Sequence, residues 1–290
     1  MTSSGNSSKQ CPSADLSRES RVAKSMSKPL PSPAPPAPAD GVGCVLGTPL
    51  QLTTYEQFRS HCLELASHKG VTSVDFTNTH IVTMRRHDPG FRELTDSVDY
   101  FVPDGMPLIW CLNFRGAKLG DRVYGPTFMR EFIARSPAET SHYFLGGSVV
   151  CVEQLKRACL ERNPATRILG ARHGYFRTEE EPQILEEINR LAPDFIWVGL
   201  GTPKQQSWIH RHKGRIDRGV IFAVGFAFDV NAGTKRDAPV WMQRRGLTWL
   251  FRAVSEPRRL TMRYLRYNAL FLFYLIWDGI RGRAFSPFAQ

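Results

Sequence analysis

Six short apolar runs, each followed by glycine or polar residues and set apart by helix-like sequence, constrain this chain more than any other feature. They read "VTSVDF", "DYFV", "HYFLGG", "TRILGA", "DFIWVGLG" and "VIFAVG". An amphipathic stretch, "YEQFRSHCLELASHKG", precedes the first and is ended by Gly70, while "VVCVEQLKRACLER" and "EEEPQILEEINRLA" lie between later ones. Buried strands alternating with helices require parallel pairing and right-handed crossovers, hence an α/β sandwich. No fixed-period repeat competes with that reading.

In an open parallel sheet the carboxyl ends of the strands line one crevice, and ligands bind there. The residues just past the strands are therefore the candidate site: Asn78, Asp104-Gly105, Gly146-Gly147, His173-Gly174-Tyr175, Gly199 through Gln206, and Asp229. Their convergence on one rim is the main structural expectation.

The ends of the chain differ from this middle. Residues 1–44 are Ser-rich and then Pro/Ala-rich, a composition too poor in large apolar groups to offset ordering entropy, so a disordered tail is expected. The core is expected over residues 45–240 and a basic amphipathic appendage over 241–290. With 290 residues, 42% of them hydrophobic, one sizeable core is affordable. Six cysteines without metal-like spacing suit a reducing compartment, and no signal peptide is expected.

The formal charge of +11 concentrates in the appendage, where nine arginines from Arg244 onward face only Glu256 and Asp278. Such a patch suits a polyanion: acidic lipid, nucleic acid or a diphosphate. The appendage looks helical, broken at Pro257. Its apolar run, Ala269 to Trp277, is far shorter than the ~20 residues that span a bilayer. An in-plane helix on an anionic membrane and a helix packed on the core both remain open.

Single motifs each have a plain rival. "GLGTPKQQSWIHR" puts glycines after a strand and a helix behind them, which suits an anion cradle. A structural turn explains it equally, and the dinucleotide and Walker spacings are absent. Gln205 is the sharper clue, because an amide can pair with a sugar hydroxyl or a base edge. Asp104 stands before a helix begun by Met106-Pro107, where capping suffices, although a general base would also stand at a strand mouth. Arg122 is either a solvated arginine or a fork for phosphate, and Asp229 either a turn former or a ligand contact. The histidines, His80, His142, His173 and His210 among them, read as surface or loop residues. No Asp-x-Asp or H-E-x-x-H pattern exists, so neither metal nor cofactor is expected.

Taken together and in order, "TNTHIV", "VPDGMPLIW", "DRVYGPTFM", "YFLGG", "GYF", "PDFIWVGLGTPKQQSWI" and "GFAFDVNAGTKRDAPVWMQRRGLTWLFR" resemble the WecG/TagA/CpsF family of bacterial glycosyltransferases over roughly residues 45–265. The resemblance implies a Rossmann-like parallel sheet flanked by helices. It implies inverting transfer of a sugar from a UDP donor to a polyprenyl-diphosphate-linked acceptor at the cytoplasmic face of the membrane, in cell-surface polysaccharide synthesis. Asp104 matches the family's proposed base, Arg122 its phosphate-directed arginine, Asn78 and Gln205 its donor contacts, and Asp229 its F-D acid. Arg245, Arg252, Arg259 and Arg263 are counterparts of arginines implicated in membrane or diphosphate contact. Thr77, Gly146, Gly147, Tyr175, Gly199 and Gly201 complete the expected substrate surface.

Two departures stand out. Many members carry Thr-x-Asn where this chain has Phe76-Thr77-Asn78, and many have Glu where it has Gln206. Both positions are expected near the donor, so the sugar can differ from the family's usual N-acetylmannosamine. The competing readings are a non-catalytic nucleotide-sugar or membrane-binding protein and a nucleic-acid binder; the basic tail is assigned to lipid and no nucleic-acid partner is expected. A homo-oligomer is left open.

Overall fold

The computed structural model describes residues 41–281. The elements in chain order are β1 (Val42–Val45), β2 (Thr48–Gln51), α1 (Tyr55–Ser67), β3 (Gly70–Thr77), α2 (Thr79–His87), α3 (Pro89–Thr95), β4 (Tyr100–Pro103), α4 (Met106–Phe114) and α5 (Gly125–Ala134). There follow β5 (Ser141–Gly146), α6 (Val149–Arg162), β6 (Arg167–Arg172), α7 (Glu181–Leu191), β7 (Phe195–Gly199), α8 (Lys204–His212), β8 (Arg218–Ala223) and α9 (Ala227–Asn231). The chain ends in α10 (Val240–Arg244), α11 (Thr248–Ser255) and α12 (Pro257–Ile280).

All six expected strands are present, and they form one six-stranded sheet in the order β4-β3-β8-β7-β5-β6, every pair parallel. Alternate side chains of each strand enter opposite layers. In β7, Phe195 and Trp197 join an aromatic cluster with Phe58, Phe128, Phe132 and Phe222 beneath α1, α5 and α6. Ile196 and Val198 pack instead with Ile184, Ile188 and Trp208 of α7 and α8. All four β7 residues are fully buried, and truncating an aromatic in such a cluster costs about 3–5 kcal/mol. The sheet is therefore rigid where its carboxyl ends must hold a site.

The expected tail boundary at residue 44 needs correction. Residues 1–40 lie outside the described residues, but Val42–Val45 already pair antiparallel with Thr48–Gln51. Leu46 and Gly47, at φ 49° and 80°, make the two-residue turn between them. Val45, Leu46 and Leu50 are buried with Leu108 and Leu112 of α4 and Phe271 of α12.

The C-terminal segment lies against the core. Arg86 on α2 pairs with Asp278 at 3.0 Å, and His87 Nδ1 lies 2.8 Å from the Tyr274 hydroxyl. Pro257 opens α12, as the expected break requires. The other face of α12 is exposed at Met262, Leu265, Leu272, Phe273, Ile276 and Ile280. Packing on the core and an outward apolar stripe therefore coexist on one helix. No helix among the described residues is long and apolar enough to cross a membrane.

Candidate active site

The loops after β3, β4, β5, β6, β7 and β8 surround one cleft of about 570 Å³, whose lining is completed by residues of α11 and α12. Asp104, Arg122, Asn78, Gly147, Tyr175, Gly199, Gly201, Gln205, Asp229, Arg252, Arg259 and Arg263 all reach it. Six separate segments do converge.

Asp104 follows β4, and its N–H donates to the Thr77 carbonyl at 2.8 Å, extending the strand pairing by one residue. It does not cap the helix expected of it: Gly105 holds that position on α4, with no side-chain cap. The carboxylate serves a different helix. Oδ1 accepts the Gly125 N–H at 2.7 Å, the first residue of α5, where the helix dipole favours negative charge. Oδ2 has no hydrogen-bond partner among the described residues. Burial pushes the carboxyl up from 3.8 to about 6, against the pull of Arg122, the Gly125 N–H and Arg252, while Asp237 adds to the rise. A carboxylate so placed is still ionised at neutral pH and is a stronger base than an ordinary aspartate.

Arg122 braces this corner. Its Nη1 donates to the Asp104 carbonyl at 3.0 Å and its Nη2 to Thr248 Oγ1 of α11 at 3.4 Å. Its guanidinium lies 4.1 Å from the centre of the Tyr124 ring. Tyr124 in turn donates its hydroxyl hydrogen to Asp237 at 2.6 Å.

The amides at the sheet edge are half-committed. Asn78 caps α2, its Oδ1 accepting from the N–H groups of His80 and Ile81 at 3.1 and 3.3 Å. Gln205 Oε1 accepts the Gly201 N–H at 3.2 Å. In both residues the carbonyl oxygen works locally, which leaves the amide NH₂ as the group a ligand can use.

The glycine cradle needs correction. The Gly147 N–H donates to the Gly199 carbonyl at 3.2 Å, and the Gly201 N–H is taken by Gln205. These glycines provide close approach rather than free donors. Gly146 does not line the cleft. It packs on Gly199, whose backbone a Cβ at Gly146 would meet at 2.5 Å.

Two further expected contacts are not brought to the cleft. Thr77 is fully buried, its hydroxyl donating to Asp75 Oδ1 at 2.6 Å, while Asp75 Oδ2 accepts from Gln206 Nε2 at 2.8 Å. Of the two departures from the family pattern, Gln206 thus meets Thr77 at one buried carboxyl beneath the cleft, away from a donor sugar, whereas Phe76 stands where many members have threonine. Phe76, one residue earlier and on the opposite side of the strand, lines the cleft instead. Arg245 is the other: it stands exposed beside the Trp241 ring at 5.8 Å, outside the lining.

The wall from α11 and α12 is cationic and unsatisfied. Arg252 sits 3.9 Å from the Phe226 ring centre, and its Nε is buried with no partner. The Nε of Arg263 is likewise buried and unpartnered. Burial lowers the Arg263 pKa, and so do Arg252 and Arg259 beside it. Buried donors without acceptors are rare because each costs roughly 1–3 kcal/mol. Crowded among like charges, these two ask for an anion.

Several lining residues escape sequence reasoning. Lys235 lies 3.6 Å from Asp229 and 3.1 Å from Glu256. His80 is no surface histidine: it lines the cleft, its ring 4.4 Å from Tyr267. Burial, with Arg263 and Arg252, pushes it down to about 3, so it stays neutral. Its position in the first turn of the helix capped by Asn78 was the available signal. Trp249 and Tyr264 close the same wall. His142, also expected at the surface, is fully buried and accepts the Trp197 Nε1–H at 3.2 Å. No cluster of three or more His, Cys, Asp or Glu side chains able to hold a metal forms among the described residues.

The family model described as "Glycosyl transferase WecG/TagA/CpsF family" matches residues 44–284, which extends the resemblance beyond residue 265 through α12. Among curated proteins, N-acetylglucosaminyldiphosphoundecaprenol N-acetyl-beta-D-mannosaminyltransferase of Staphylococcus aureus strain MW2 is 27% identical over 183 residues, 63% of this chain and 72% of the relative. The proteins of the same name from strains NCTC 8325 / PS 47 and COL align with the same identity and coverage. A cleft at the carboxyl edge of a parallel sheet, lined by a carboxylate of raised pKa and by two arginines whose Nε–H groups lack acceptors, and a match spanning sheet and appendage lead to one conclusion: the chain is a glycosyltransferase of the WecG/TagA/CpsF family.

Proposed function

We propose that this enzyme transfers N-acetylmannosamine or a related hexose from a UDP-sugar to a polyprenyl-diphosphate-linked acceptor, with inversion and without a metal. The observation that carries the reading is that one cleft is lined both by Asp104, with Oδ2 unpartnered, and by Arg252 and Arg263, whose buried Nε–H groups are unpaired. The names of the relatives, which combine an N-acetylmannosaminyl group with N-acetylglucosaminyl-diphosphoundecaprenol, supply the substrate classes.

In this reading the acceptor hydroxyl oxygen attacks the anomeric carbon on the face opposite the departing UDP. Its proton passes to Asp104 Oδ2 late, as the oxygen becomes positive in an oxocarbenium-like transition state, because a carboxylate cannot deprotonate a free alcohol outright. The C–O bond to UDP breaks, and its electron pair leaves with the diphosphate. Arg252, Arg263 and Arg259 take up that charge, with Lys235 at their edge. The amide NH₂ groups of Asn78 and Gln205 and the exposed Tyr175 ring are the remaining contacts assigned to the donor.

The outward stripe on α12, flanked by the exposed Arg258, Arg266 and Arg281, suits an in-plane helix on an anionic surface, and thus peripheral attachment at the cytoplasmic face of the membrane. The test is transfer from UDP-N-acetylmannosamine to N-acetylglucosaminyl-diphosphoryl polyprenol, with and without EDTA. The expected product carries the linkage opposite to the donor's and forms equally in chelator. Retention of configuration, or a strict requirement for Mg²⁺ or Mn²⁺, contradicts the proposal.

A further inference from the structure

Helix α4 is apolar on both sides. Its inner face, Leu108, Ile109 and Leu112, is buried, yet Trp110 on the outer face is 51% exposed. A helix apolar all round is normally covered on every side. A second uncovered pair, Val240 and Trp241, stands on α10 at 61% and 56% exposure. The link after α10 lies directly against α4. A Cβ on Gly246 would come within 2.9 Å of the Trp110 ring and 3.5 Å of Met106 Cβ, so only glycine fits there, at φ +68°.

This face is continuous with the cleft. Met106, Pro107, Gly246 and Thr248 line the cavity, and Thr248 is the residue to which Arg122 donates. Met106, which lines the cavity, and Trp110, which stands exposed, lie one helical turn apart on α4, while the arginines of α11 and α12 line the same cavity. A ligand complementary to both parts has a compact anionic group joined to a long apolar chain.

We propose that the outward aromatic face of α4 and α10 seats the first isoprene units of the acceptor's polyprenyl chain, while the diphosphate lies at the arginine-lined mouth. This rests on the acceptor class proposed above and deepens it. A protein partner fits less well, because it would stopper the mouth through which a lipid-linked acceptor enters. The bilayer surface already has its own stripe on α12, a separate helix. Tryptophan suits the role, with a large apolar ring and a polar edge that tolerates the wet rim of a membrane.

The experiment compares two acceptors bearing the same N-acetylglucosaminyl diphosphate head, one on a long polyprenyl chain in detergent micelles and one on a short, water-soluble isoprenyl chain truncated before it reaches α4. Trp110→Ser and Trp241→Ser are assayed separately. Trp241 is 56% exposed and belongs to none of the buried clusters, so that variant stays informative if Trp110→Ser misfolds. The double variant is expected to raise KM for the long-chain acceptor at least about tenfold, in line with an aromatic side chain losing its buried contact. KM for the short-chain acceptor and the thermal shift given by UDP are expected to change less than about twofold.

Equal losses on both acceptors, or no loss on either, overturn the proposal. So does weaker binding to acceptor-free anionic vesicles with an unchanged KM ratio, which would assign the face to the bilayer. A parallel arm needs no transfer: farnesyl diphosphate, titrated alone, is expected to quench tryptophan fluorescence more in the native protein than in the double variant, beyond the change that inorganic diphosphate gives through Trp249 in both. If the native protein transfers nothing yet this arm behaves as expected, the acceptor's sugar is wrong and the chain-binding face stands. If the native protein transfers but the arm shows no difference, the face is wrong and the enzymatic reading stands.

Discussion

The two walls of the cleft are built on different terms. On the sheet side nearly every polar group is already employed: Asp104 Oδ1 at the start of α5, Asn78 Oδ1 at the start of α2, Gln205 Oε1 on Gly201, and the glycine N–H groups on neighbouring carbonyls. Each keeps one atom in reserve. On the side of α11 and α12 the charges are crowded and two guanidinium donors have no acceptor. A satisfied wall is stiff before any ligand arrives and suits the positioning of a reacting hydroxyl. An unsatisfied wall is destabilised until an anion arrives, which suits a group that must develop charge and then leave.

The comparison breaks most visibly if the cationic wall is removed. Deleting residues from Arg245 onward is expected to abolish transfer, measured with lipid-linked acceptor. The parallel sheet should persist by circular dichroism, with a lowered Tm because Val82, Phe101 and Leu108 lose the cover of Phe271. Full activity of the truncated protein would mean that the sheet wall suffices. A finer cut is Arg252→Ala or Arg263→Ala, each expected to lower kcat by about 10²-fold, the scale for loss of one charge-stabilising donor, as read by steady-state transfer. Arg252→Ala should also move the acid limb of the rate profile to higher pH, since that guanidinium favours ionised Asp104.

Asp237→Asn sharpens the same comparison with a smaller effect. Asp237 receives the Tyr124 hydroxyl and the Ala238 N–H on Oδ1, which an asparagine oxygen can still accept, and the Gln243 amide on Oδ2, a contact that an asparagine NH₂ cannot accept. The variant also loses a negative charge that opposes ionisation of Asp104. The acid limb should therefore shift to lower pH, opposite to Arg252→Ala, with less than about a tenfold loss of rate at neutral pH.

The sheet was legible because most of its strands are buried on both faces and so appear as short apolar runs, each closed by glycine or polar residues. The hairpin at Val42–Gln51 was not, since its strands have four residues each and its turn, Leu46-Gly47, hides inside a Pro- and Gly-rich stretch. Site residues were legible where they sit just past a strand, as Asp104 and Gln205 do. The strand's alternation was what sequence reasoning misjudged: Thr77 and Asp75 turn to the α8 side and meet Gln206, while Phe76 faces the cleft. Lys235 and His80 were hidden for another reason. Only the packing of α11 and α12 against the sheet edge makes them part of a site, and no local pattern encodes that contact.

The most direct measurement is the pH dependence of transfer by the native enzyme and by Asp104→Asn, with UDP binding followed in parallel. The native rate is expected to fall as pH drops through about 6, where the carboxyl takes up its proton. Asp104→Asn should lose about 10²–10⁴-fold in kcat and lose that limb, yet bind UDP normally. An asparagine variant that keeps the native rate and the native acid limb would contradict the account.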